Sequence, residues 1–194
     1  MKKIVFVILF LFSLTVFAQN EQLAQNYFDR GEFEKALLSY QDLLKMQPSN
    51  AVFFQKTIDC QQQLQQYDVA EKAIQERFAK YKQASLLIEL GYNFQLKKDD
   101  AKAKSYYEEA LDRIRKNAND VYSIAQVFEK KSLINYALQS YQLALEKEPK
   151  FNLNFQMALR CGQLGNTDMM LTTFLDEAAA NPQNSIMIQN QLSR

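Results

Sequence analysis

Four alanines recur along the chain at Ala36, Ala70, Ala103 and Ala137, at intervals of 34, 33 and 34 residues. A period of that size marks an array in which one supersecondary unit is copied and stacked. Around each alanine the apolar residues keep helical spacing. In the first copy Ala24 and Tyr27 share a helix face and Gly31 breaks that helix. Phe33, Ala36, Tyr40 and Leu43 then mark the apolar face of a second helix. Pro48 ends it, because proline lacks the backbone donor and clashes with the preceding turn. The product is a helical hairpin.

The same hairpin returns. Leu90, Gly91 and Phe94 precede Ala103, Tyr107 and Ala110. Ile124, Ala125 and Phe128 precede Ala137, Tyr141, Ala144 and Pro149. Met157, Ala158 and Cys161 precede Met170, Phe174 and Pro182. A weaker copy holds Phe54, Ile58, Leu64, Tyr67, Ala70 and Ile74. The repeats are read at 17–50, 51–83, 84–117, 118–150 and 151–183. Composition agrees. The 194 residues contain only 3 Pro and 4 Gly, too few for the frequent turns of a sandwich or barrel. The three prolines, Pro48, Pro149 and Pro182, each close a hairpin. An all-α fold follows.

Composition also removes chemistries. With no histidine, the chain excludes Ser-His-Asp and Cys-His catalysis and histidine-ligated metals. Lys+Arg is 23 and Asp+Glu is 22. Removing residues 1–18 takes Lys2 and Lys3 and leaves 21 − 22 = −1. Such a balance lacks the electrostatic footprint of a nucleic-acid binder.

Residues 1–18 read as a secretory signal peptide. Met1-Lys2-Lys3 is a positive start, and the apolar run Ile4 to Phe17 has only Ser13 and Thr15 as polar breaks. Val16-Phe17-Ala18 fits a cleavage site after Ala18. The run is too short to cross a membrane, so no stable span is expected after cleavage. Neither Cys60 nor Cys161 lies near the site, which excludes a lipid-anchored terminal cysteine. The Phe/Ile/Leu-rich core ending in Phe-Ala-Gln resembles signal peptides of Bacteroidota. The expected mature chain starts at Gln19 and is periplasmic or secreted.

On the repeated residues above, the sequence resembles the tetratricopeptide repeat family. That family pattern is a large residue, then Leu-Gly, then Tyr on the first helix, with alanine, an aromatic and a closing proline on the second. The resemblance covers nearly all of the mature chain. It implies a right-handed superhelix of about five hairpins plus a C-terminal helix, with a concave groove lined by positions 2, 5, 9 and 12 of each repeat. On this chain the candidate peptide-binding residues are Gln25, Gln55, Asp59, Gln62, Ile88, Tyr92, Gln95, Tyr122, Gln126 and Phe155. Amides donate and accept, as a peptide backbone requires. Aromatics supply large contact surfaces. Some family members clamp a C-terminal carboxylate with Lys at position 5 and Asn at position 9. Here those slots hold Glu21/Gln25, Gln55/Asp59 and Ile88/Tyr92, so binding to chaperone C-termini is not implied.

Other features have plain structural readings. Cys60 and Cys161 fall in repeats two and five and are not expected to pair. The charge run from Lys97 to Lys116 reads as a solvated helix face. Asn50, Asn119-Asp120 and Asn184 sit where helix caps are expected. Residues 184–194 form a capping helix or the start of a further repeat. A cap should be polar outside, as Gln189, Asn190, Gln191 and Arg194 suggest.

The expected function is that of an exported adaptor or scaffold binding a protein or peptide partner in the bacterial cell envelope, without nucleic acid, cofactor or metal. The alternative is the N-terminal docking or sensory segment of a larger envelope protein. No enzyme activity is expected. The repeat register makes Tyr141 a core residue, so Tyr141→Ala should cost about 3–5 kcal/mol in chemical denaturation. A loss under about 1 kcal/mol would show that the register of the fourth repeat is wrong.

Overall fold

The computed structural model describes residues 19–193, and the signal-peptide reading of residues 1–18 lies outside them. Among the described residues all regular structure is helical. Helix α1 covers 19–29. It is followed by α2 (Phe33–Met46), α3 (Ala51–Gln63), α4 (Tyr67–Tyr81), α5 (Ala84–Leu96) and α6 (Asp100–Lys116). After these come α7 (Val121–Lys130), α8 (Ile134–Lys147), α9 (Asn154–Gln163), α10 (Thr167–Ala180) and α11 (Ser185–Leu192). Single 3-10 turns at Ala118–Asp120 and Pro182–Asn184 lead into α7 and α11. The chain forms two compact bodies that divide between Glu76 and Arg77, inside α4.

One backbone device closes the first helix of every hairpin. Gly31, Gln65, Lys98, Ser132 and Gly165 all take positive φ, between 58° and 76°. Their intervals are 34, 33, 34 and 33 residues, the same beat as the alanines. Around Lys98, its own N–H donates to the Gln95 carbonyl at 2.9 Å and the Asp99 N–H to the Phe94 carbonyl at 2.9 Å. The same pair of bonds recurs at the other four turns. These are the two bonds of a Schellman closure, which satisfies carbonyls that the helix end leaves open. Only two of the five turn residues are glycine. A side chain in this conformation costs about 1–2 kcal/mol, so sequence alone exposed Gly31 as a breaker and hid Gln65, Lys98 and Ser132.

Helix starts differ in part from the expected caps. The Asn50 side chain accepts from the Val52 and Phe53 amides at 2.9 and 3.1 Å, as expected. Before α7 the cap moves back to Asn117, which accepts from the Asn119 amide, because a 3-10 turn is inserted there. Asn184 makes no cap bond and donates instead to Glu177 at 2.6 Å. Asp99 and Asn166 cap α6 and α10.

Small residues let the paired helices approach. Counting from each turn residue, the slot seven before holds Ala24, Ile58, Gly91, Ala125 and Ala158, and the slot five after holds Ala36, Ala70, Ala103, Ala137 and Met170. Nine after come Tyr40, Ile74, Tyr107, Tyr141 and Phe174, all buried. In the first body, Tyr40 packs with Ala24, Ala36, Leu37, Leu43, Phe53 and Cys60. In the second, the Tyr107, Phe128 and Tyr136 rings lie within 4.8–5.6 Å of one another and tie α6, α7 and α8 together. Repeat five exchanges its slots: Met170 replaces the alanine, and Gly162 on the facing helix gives its sulfur room.

Both cysteines are free and fully buried, so no bridge forms, within the chain or at its surface. Burial pushes the Cys60 thiol up to about 12. Helix α11 buries Ile188 on Ala158 and Phe174. It leaves Ile186 72% exposed, with Met187, Gln189, Asn190 and Leu192 also exposed, so its outer face mixes apolar and polar side chains. None of the described helices is long and apolar enough to cross a membrane.

A Cβ built on Gly91 falls 2.4 Å from Tyr107 Cε1 and 3.0 Å from the Ala103 carbonyl oxygen. A Cβ on Gly162 meets only the flexible Met170 side chain, at 2.6 Å. Gly91→Ala should therefore cost about 1–3 kcal/mol, as overpacking does. Gly162→Ala should cost clearly less. Urea denaturation of the two variants measures the difference, and equal losses would refute this account of the slot.

Candidate functional site

The candidate residues separate into groups once their partners are known. In the first body, the Gln25 amide is committed at both ends. Its Nε2 donates to Asp29 at 2.6 Å, and its Oε1 accepts from the Tyr40 hydroxyl at 2.9 Å. The Gln55 Nε2 donates to Asp59 at 3.0 Å, one helical turn away on α3. Gln62 is buried and is not a surface contact. The reason is that α3 buries residues around most of its circumference, from Phe53 and Phe54 through Thr57 and Ile58 to Cys60 and Gln61.

Ile88 is likewise withdrawn from solvent, at 0% exposure. The groove assignment gave α5 an open face. In fact every residue from Leu86 to Phe94 is buried except the half-buried Tyr92. Phe155 is half-buried, its ring 5.5 Å from that of Phe174, and belongs to the packing of hairpin five. Four candidates of the second body keep open surface: Tyr92, Gln95, Tyr122 and Gln126. Tyr122 is 52% exposed and meets Phe151 edge-on at 6.2 Å.

Beneath them runs a polar framework that reading the sequence did not assemble. The Tyr107 hydroxyl donates to Gln95 Oε1 at 2.8 Å, and the Tyr141 hydroxyl to Glu129 Oε1 at 2.8 Å. Both acceptors stand three residues before the left-handed turn residue, and both tyrosines nine after it. The motif thus joins the two helices of a hairpin at one fixed register. In repeat five both halves are gone together: Phe174 has no hydroxyl and Gly162 no acceptor.

Ion pairs extend the framework from hairpin to hairpin. Arg160 Nε on α9 meets Glu129 Oε1 on α7 at 2.7 Å. Lys131, in the α7–α8 turn, meets Glu89 Oε2 on α5 at 3.0 Å, with the side chains 10% and 3% exposed. Its ammonium also stands 4.7 Å from the centre of the Tyr92 ring. A charge this deep is tolerated only with its partner in place, so losing either one is costly. The partners within each pair lie far apart along the chain, and only their opposite signs connect them there.

Other charged residues of the second body are engaged with one another. Asp99 is spent on a helix cap, and Glu108 pairs with Arg115 at 3.5 Å. Arg115 also bonds Asp112, and Lys102 meets Asp99 at 3.4 Å, so this charge run is a solvated helix face. Among the described residues no cluster of three or more His, Cys, Asp or Glu could hold a metal.

No protein-family model and no curated protein sequence matches the chain. Solved structures do resemble it. One is MamA protein, with 15% identity and a TM-score of 0.43 over 87% of this chain and 93% of that one. A second is YrrB, a TPR protein with an unusual peptide-binding site, with 14% identity and a TM-score of 0.40 over 88% and 89%. A third is a thermophilic TPR protein of Thermus thermophilus, with 16% identity and a TM-score of 0.46 over 91% and 97%.

Burial pushes Tyr40 and Tyr141 up to about 12, with the Glu129 carboxylate adding to the rise at Tyr141. Burial raises Tyr107 further in the same direction. A phenol whose folded pKa lies above its unfolded value near 10 contributes stability that is complete below pH 10 and is lost as pH rises toward 12. The melting temperature should therefore be flat through neutral pH and fall from about pH 10 upward. Thermal melts of Tyr107→Phe and Tyr141→Phe should show a shallower alkaline fall and a loss of about 0.5–1.5 kcal/mol each at pH 7. An unchanged alkaline slope in both variants would refute the assignment.

Proposed function

We propose that the chain is an exported adaptor that holds a protein or peptide partner in the bacterial cell envelope, without catalysing a reaction. The observation that carries this reading is the open face of the second body. Tyr122 and Gln126 on α7 stand exposed, and Tyr92 on α5 is half-buried. On the same body the Glu89–Lys131 pair ties α5 to the α7–α8 turn and the Glu129–Arg160 pair ties α7 to α9. A preorganised aromatic and amide surface loses little side-chain freedom on binding and presents groups enriched at binding hot spots. Export is supported by the pattern of residues 1–18, a positive start, a short apolar core and a small residue at the cleavage position.

The partner is sought by capture. The purified protein and a Tyr122→Ser/Gln126→Ala variant are incubated with envelope extract, and the bound proteins are identified by mass spectrometry. Both substitutions are at exposed positions, so the fold should survive, as a circular dichroism melt will show. The expected outcome is one or more proteins recovered with the parent and depleted about tenfold or more with the variant. Equal recovery of every protein by both forms would sink the assignment of this face.

A further inference from the structure

The exposed large apolar side chains of the second body gather at one end of it. Apart from Tyr122, all of them lie between Leu164 and Leu192. The interior shows why. Leu138, six residues after its turn, packs against the core of this body, whereas Leu171, six after the next turn, is 41% exposed. Helix α11 covers part of this end through Ile188 and turns another face outward. That face holds a shallow recess of about 470 Å³ lined by Gln183, Ile186, Met187, Asn190 and Gln191.

Two properties set this face apart. First, it carries no charge. Residues 178–193 form the longest stretch of the described residues without a charged side chain. Glu177, just before it, is fully buried and accepts from Asn181 and Asn184 at 3.1 and 2.6 Å. Other exposed apolar residues have charged neighbours. In the first body Leu23 and Met46 share a recess with Asp42, and on α10 Leu171 and Leu175 share their helix with the exposed Asp168 and Asp176. Second, its order is symmetric. Gln183, Ile186, Met187 and Asn190 are spaced i, i+3, i+4 and i+7 along one helix face. They read amide, apolar, apolar, amide in either direction.

We propose that this face pairs with the same face of a second copy, the two α11 helices running antiparallel about a two-fold axis between Ile186 and Met187. A two-fold axis brings a patch against itself, so the patch must be self-complementary. In this register Ile186 meets Met187 of the other copy, and Gln183 meets its Asn190. The apolar pairs leave water together. Each amide both donates and accepts, so two facing amides satisfy one another. A face with charges of one sign would instead meet its own sign and be repelled. One short helix on each side makes a small interface of the transient class. It uses neither Tyr122 nor Gln126 and does not depend on the adaptor reading.

The test is sedimentation equilibrium of the purified protein from about 10 μM to about 1 mM. The average mass should climb towards twice that of the monomer and stop there. Raising salt from about 50 to about 500 mM should change the affinity by less than about twofold, because no charges meet. Ile186→Lys should weaken association about tenfold or more, with an unchanged circular dichroism melt because the position is exposed. Gln183→Lys and Asn190→Glu combined in one chain should strengthen association about two- to tenfold at about 50 mM salt and lose that gain at about 500 mM. The reason is that antiparallel pairing sets each new lysine against a new glutamate of the other copy, a gain that misfolding cannot produce. The proposal is overturned by a monomer throughout the range, or by a mass that grows past the dimer, which means head-to-tail joining. It is also overturned by unchanged association in Ile186→Lys or by the absence of a gain in the double variant. No envelope protein enters this experiment, so a failed capture on the Tyr122 face and a failed association here are separate results.

Discussion

The distance between the two helices of a hairpin controls the rest of the array. At Gly91 the backbone of α5 comes so near the Tyr107 ring of α6 that a single methyl group would overlap it. The facing alanine, Ala103, is nearly as enclosed. That approach lets the tyrosine ring pass between the helices and reach Phe128 on the next hairpin. Its hydroxyl, carried to the far side, finds Gln95. One small residue thus sets three contacts: helix to helix, hairpin to hairpin, and ring hydroxyl to amide. A fully buried apolar ring stabilises the fold by burial alone, but a buried phenol also needs its acceptor in register.

The left-handed turns explain why that register repeats. Each first helix ends through the same two backbone bonds, so each second helix starts at the same angular position relative to it. The side chains that meet across the hairpin are then fixed by their offsets from the turn residue. Repeat five obeys the geometry with different residues. Met170 fills the volume that Gly162 vacates, as volume-conserving exchange in a packed core allows. Repeats can therefore diverge in sequence while keeping their backbone, provided that paired slots change together.

Polar groups in this molecule do two jobs that look alike in sequence. Gln25, Gln55 and Gln95 belong to the set an amide-rich binding face would use, yet each is already bonded to its own chain. Gln25 and Gln95 join neighbouring helices, and Gln55 is held by Asp59 on its own helix. Tyr122 and Gln126 have the same chemistry and remain open. The difference comes from what stands opposite. A tyrosine nine residues after the turn reaches the amide at Gln95, whereas Tyr122, met edge-on by Phe151, stays 52% exposed.

Local patterning was enough to determine the helical class, the period and most of the core. Ala36, Tyr40, Tyr107, Ala125 and Tyr141 were all legible as buried, because helical spacing and side-chain volume are properties of the sequence itself. Three turns built on Gln65, Lys98 and Ser132 were not legible as left-handed, since propensity argues against those residues there and the backbone bonds override it. The burial of Ile88 and Gln62 and the pairing of Glu89 with Lys131 were decided only in three dimensions. A residue's spacing tells which face of its own helix it occupies. What covers that face depends on neighbours dozens of residues away, and so does whether a polar side chain there is a strut or a contact.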